Sequence, residues 1–172
     1  MSRSIALLAT VVLSAATGAA QKTPHAQAAR GRTLFFEGKL ACGTCHALEG
    51  KGTAVGPDLK PLARLSPNAI VTAIRATRTQ YVQDVKVKGE GNFPGMKADE
   101  KGTQIWDLSK APPELRKFEP GQIESMKDND AWKHPAGSAD LSAEQLADII
   151  AYIRWAAFGD SRGVKPDEIP EQ

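Results

Sequence analysis

The sequence predicts a mainly α-helical chain with a small antiparallel β-meander set into its middle, and three observations predict it. Near the C-terminus, Leu146, Ile149, Ile150 and Ile153 recur at helical spacing behind Ser142, with Gln145 three residues after that serine. This is the pattern of an amphipathic helix opened by a capping box. A second apolar stripe, Ile70, Val71 and Ile74, follows Ser66-Pro67, where serine suits the cap and proline the first helical position. Between these two stripes, residues 81–88 alternate with a partial period of two, glycines and a proline at 89–95 punctuate the chain, and residues 103–108 resume an extended pattern.

Taken in order, the chain of 172 residues opens with Met1-Ser2-Arg3, an apolar run over 5–16 and small residues at 17–20. That is the layout of a secretory signal cleaved after Ala20, since the run is short for a bilayer span. Its removal leaves enough chain for one modest domain, with no second segment apolar enough to span a membrane. Residues 21–27, including His25, read as a flexible polar leader. Residues 28–36 form a short helix in which Gly31 and Phe35 lie one turn apart. The helix from Ser66 ends near Thr79, and residues 79–127 form the inserted meander. The last helix closes at Gly159, and residues 160–172 are a C-terminal tail. The formal charge of +2 falls to +1 without Arg3, and the insertion balances eight basic against eight acidic residues. Neither value suits a nucleic-acid ligand or a strong electrostatic docking patch.

Both cysteines of the chain lie in Cys42-Gly43-Thr44-Cys45-His46. Cys-x-x-Cys-His is the attachment signature of c-type haem. Two thiols three positions apart on one turn can form thioethers to the same porphyrin, while the adjacent His46 offers its imidazole to the iron. The competing readings are a redox disulfide, which wants a βαβ context, and half of a zinc site, which needs ligands beyond this cluster. One covalently bound haem c is therefore the expected cofactor. With both thiols committed, no structural disulfide is available.

The series Gly31-x-x-x-Phe35, Cys42-x-x-Cys45-His46, Gly50-x-Gly52, Gly56-Pro57-Asp58-Leu59 and a terminal helix carrying Tyr152 resembles a class I c-type cytochrome over residues 29–76 and 131–158. The resemblance implies a cytochrome c-like helical haem fold in which the first and last helices cross at a glycine. It also implies that Pro57 accepts a hydrogen bond from the proximal His46, although Gly56-Pro57-Asp58 also reads as a simple turn. Haem of this class is attached outside the bacterial plasma membrane, which agrees with the signal segment and implies a periplasmic protein. The insertion resembles that of a bacterial subgroup with a short sheet before the distal-ligand loop.

In that family the sixth ligand usually comes from a Met-Pro dipeptide just before the last helix, and here the position reads His134-Pro135. By resemblance His134 is the distal ligand. Met126 is the alternative, Met96 a further one, and a surface His134 over an open site a third. Trp132 and Trp106 are candidates for packing against the porphyrin, and Arg64 for pairing with a propionate. Ordinary packing and an exposed helix-flanking charge are the alternatives for these three. The implied function is a monomeric, periplasmic monohaem cytochrome that carries single electrons and breaks no bond. It would dock transiently on periplasmic redox proteins or membrane oxidoreductases. The alternatives are a haem enzyme or gas or redox sensor with an open or labile distal site, and a fixed electron-entry subunit of a dehydrogenase or oxidase.

Overall fold

A helical frame and a sheet share the chain in the computed structural model, which describes residues 23–38, 41–75, 81–135 and 140–170. The signal segment, the residues just beyond α2 where its end was expected, and residues 136–139 lie outside the described residues. Helix α1 is Ala26–Glu37, α2 is Pro67–Arg75 and α3 is Ala143–Phe158. Between α2 and α3 run five strands, β1 Gln83–Val87, β2 Asn92–Lys97, β3 Gln104–Asp107, β4 Glu114–Lys117 and β5 Ile123–Asp128. Among the described residues, no helix is long and apolar enough to cross a membrane.

The frame is set by the crossing of α1 and α3. Gly31 is buried there, and a Cβ at that position would fall on the Asp148 carbonyl and 2.9 Å from Tyr152 Cβ, so only glycine allows this approach. Arg30 clamps the same crossing, its Nε and Nη2 donating to the two Asp148 carboxylate oxygens at 2.8 and 2.7 Å. Phe35 and Tyr152, both fully buried, meet edge to face at 5.4 Å beside it. Helix α3 is bounded as its sequence requires. Ser142 Oγ accepts from Gln145 N, the Gln145 side chain accepts from Ser142 N, and Gly159 closes the helix in the left-handed conformation at φ 67°.

Two parts of the expected layout change. The polar leader is shorter, because α1 already includes Gln27, and its side chain clasps the C-terminal segment. Gln27 Nε2 donates to Val164 O at 2.7 Å and Val164 N donates to Gln27 Oε1 at 2.9 Å. Residues 160–170 are correspondingly not a free tail. Val164 and Ile169 are buried with Ile70, Val71, Leu146 and Ile150, and the Arg75 guanidinium reaches Pro170 O.

The insertion is also larger than a meander, so the chain is mainly α only in a loose sense. Strands β1 to β4 pair in succession, but β5 returns to lie antiparallel on β1, giving the order β4-β3-β2-β1-β5. The return matters for the site. Gln83 pairs with Asp128 and Asn129 N donates to Val82 O, so the chain leaves the helical frame and re-enters it at adjacent points. One face of the sheet buries Val85, Val87, Phe93, Ile105 and Phe118 as a core of its own. Arg116 covers that core, with its guanidinium 4.7 Å over Phe93 and 4.9 Å over Phe118.

Candidate functional site

Cys42–Thr44 form a single 3-10 turn, and Cys45 N and His46 N both donate to Cys42 O. The turn puts both thiols and the His46 ring on the wall of one cavity. The following loop folds back on this turn through its backbone. Thr53 N donates to Gly43 O, and Val55 N and Gly56 N donate to Cys45 O. Gly52, at φ 87°, lies so close to the His46 and Gly43 carbonyls that no side chain fits.

His46 is held by its far nitrogen. Nδ1 lies 3.0 Å from Pro57 O, and a carbonyl can only accept, so Nδ1 carries the proton and Nε2 is left as the free lone pair. The expectation for Pro57 thus has its counterpart in the geometry. Gly56, which in the sequence marks only the Gly56-Pro57-Asp58-Leu59 segment and no site role, makes this possible. A Cβ there would meet the imidazole, 2.8 Å from Nδ1 and 3.0 Å from Nε2. Opposite stands His134, with ring centroids 6.1 Å apart. Two imidazole nitrogens each about 2 Å from one metal ion place their ring centroids roughly 6 Å apart, so the pair has the separation that axial ligation requires. Burial pushes the pKa of both imidazoles down, His46 against an opposing pull from the Pro57 bond and His134 with a further push from His46. Both are held in the neutral form, which is the form that ligates.

Around the two rings the cavity has two lobes, of about 330 and about 280 Å³. The larger is walled by Phe35, Leu59, Leu62, Ile70 and the α3 stripe, including Leu146, Ile149 and Ile153. The smaller lies toward the sheet, with Trp132, Leu108, Tyr81 and Met96. Such a wall suits a flat apolar group with polar contacts confined to its axis. In the sequence alone, these α3 residues mark only a helix face. Burial pushes the Cys42 thiol pKa up, the opposite of what a redox-active cysteine needs. Among the described residues no three His, Cys, Asp or Glu side chains converge on a metal-sized site, which disfavours the zinc reading.

The remaining expected residues divide. Trp132 lines the cavity and meets His134 edge to face at 6.2 Å, so it packs on that imidazole. Trp106 sits on β3 opposite Met96 and does not line the cavity. Arg64, expected as a propionate partner, does not line the cavity. The 3-10 turn Leu62–Arg64 sends Leu62 inward and Arg64 outward, where its guanidinium stacks 4.8 Å over Phe158. Met126 is also out of place, because it pairs with Val85 and packs into the sheet core.

This arrangement puts two thiols and an imidazole on one wall of an apolar slot, the set of side chains that attachment of a c-type haem uses. Residues 28–110, just under half of the chain, match the family model described as Cytochrome c, and over that stretch the chain is similar to haem-binding electron-transfer proteins. No curated protein matches the chain. The matched stretch includes Cys42, Cys45, His46 and Pro57 and ends within the insertion, before His134.

Proposed function

We propose that this protein is a periplasmic monohaem c-type cytochrome that carries single electrons between redox partners. Cys42 and Cys45 are the tethers, His46 the proximal ligand and His134 the distal one. The observation that carries the reading is the facing pair of imidazoles, 6.1 Å apart across an apolar slot with the thiols on its wall. When bound, the haem supplies a one-electron ferric/ferrous couple. The chain supplies what keeps that couple in a carrier's range. His46 is fixed in one tautomer by Pro57, His134 packs edge to face against Trp132, and Leu59, Ile70, Ile149 and Ile153 exclude water, so little solvent rearranges as charge changes. Ligation by two imidazoles sets a lower potential than imidazole with thioether.

Secretion after signal cleavage, a monomeric state and small transient contacts with soluble redox proteins or membrane oxidoreductases complete the proposal. Its test is a pyridine haemochrome assay with coulometry on protein exported with its signal segment. One haem c and one electron per chain are expected. A chain exported without covalent haem, or one that takes up no electron, overturns the reading.

A further inference from the structure

The two methionines of the insertion lie on opposite faces of the sheet. In antiparallel strands, directly paired residues share a face and neighbours along a strand alternate. Met126 pairs with Val85, which pairs with Phe93, so all three belong to the buried core face. Met96 is three residues beyond Phe93 and pairs with Trp106, so it points from the other face, into the cavity that holds His46 and His134. Its thioether is a soft donor on the wall of the small lobe, and its unbranched side chain can adapt its reach.

The two imidazoles differ in how they are held. His46 Nδ1 is anchored on Pro57 O, whereas His134 Nδ1 is buried with no hydrogen-bond partner among the described residues. With Nε2 toward the metal, His134 would lack the outer partner whose loss typically costs about 10–100-fold in metal affinity. The distal side is therefore the one that yields. Oxidation state then decides between donors, since imidazole suits ferric iron and thioether ligation favours the reduced form.

We propose that Met96 is a second distal ligand that replaces His134 when the iron is reduced. The proposal rests on the His46 and His134 reading above. One electron from a redox partner, or from dithionite in the test, converts ferric to ferrous iron. The bond from the His134 imidazole to the metal breaks, that nitrogen keeps its lone pair, and the Met96 Sδ lone pair forms the new bond. No proton moves and no bond within the chain is cut. A change from ten-to-one in favour of His134 to ten-to-one in favour of Met96 is a hundredfold, which separates the two waves by about 120 mV.

The deciding experiment is iron-edge X-ray absorption on frozen wild-type holoprotein in both states, with fast-scan voltammetry of wild type, Met96→Leu and Met126→Leu. Two axial nitrogens are expected in the ferric state and one sulfur in the ferrous state. Split waves should merge in Met96→Leu and persist in Met126→Leu. Two axial nitrogens in both states overturns the exchange and leaves the His134 reading standing. Sulfur already present in the ferric state overturns both.

Discussion

Replacing Gly31 with alanine tests the crossing on which the cavity is built. Two effects oppose each other. Alanine gains roughly 1 kcal/mol over glycine inside a helix. Against this, the new methyl falls on the Asp148 carbonyl, and its second neighbour is Tyr152 Cβ at 2.9 Å. Both obstacles belong to α3 itself rather than to the end of a flexible side chain, so the helices must part. Overpacking of this kind costs about 1–3 kcal/mol and occasionally more, and a gap of about 1 Å forfeits up to half of the dispersion at the surfaces it opens. The buried Phe35 and Tyr152 contact and the Arg30 clamp on Asp148 both span that gap. With the steric term at the upper end of that range it wins, for a net loss of about 1–2 kcal/mol, or roughly 2–8 °C in Tm for a chain of this size. Thermal unfolding of the holoprotein followed by far-ultraviolet circular dichroism reads it out. Gly91→Ala is the control, since a Cβ there meets nothing within 4 Å. A Gly31→Ala protein as stable as wild type, or more so, would refute the crossing geometry.

Gln27→Ala strands both Val164 backbone groups and should cost about 1–3 kcal/mol, measured as a lower denaturation midpoint; an unchanged midpoint would mean the C-terminal segment does not hold the fold. Ser142→Ala removes half of the capping box on α3 and should cost about 1 kcal/mol by the same assay, with rescue by Asp or Thr. The Tyr152 hydroxyl donates to Glu49 Oε2 at 2.7 Å, and burial followed by that carboxylate pushes its pKa above the usual range. A raised pKa in the folded state means the contribution is complete below the ordinary tyrosine value of about 10 and is lost as pH climbs beyond it. Stability should therefore fall on the alkaline side, and Tyr152→Phe should flatten that limb; identical alkaline profiles would count against the assignment.

What the sequence discloses and what it conceals divides along range of interaction. The Cys42 to His46 turn, the Ser142 box and the Gly159 stop are written in neighbouring residues, so spacing alone places them. His134-Pro135 stands out by resemblance alone, because it occupies the place where a Met-Pro dipeptide usually precedes the last helix. The return of β5 to β1 was not legible, since residues 123–128 are half exposed and lack a clean two-residue alternation. That return is what brings residues 129–135 back to the frame. The Gln27 clasp joins positions 137 apart, and a lone glutamine in a polar stretch carries no sign of it. Gly56 was visible as a turn residue, but its role against the His46 ring depends on the loop folding back through Cys45 O. Arg64 lies away from the cavity that Leu62 lines for a related reason, as two steps along a tight turn redirect a side chain.

The central claim is that His46 and His134 ligate one iron from opposite sides. Low-temperature electron paramagnetic resonance and near-infrared spectra of the ferric holoprotein, beside those of His134→Ala, test it most directly. Low-spin signals of two imidazoles, with no sulfur-to-iron band, should appear in wild type and be lost in the variant. A His134→Ala protein that stayed low-spin with an unchanged reduction potential would contradict the account.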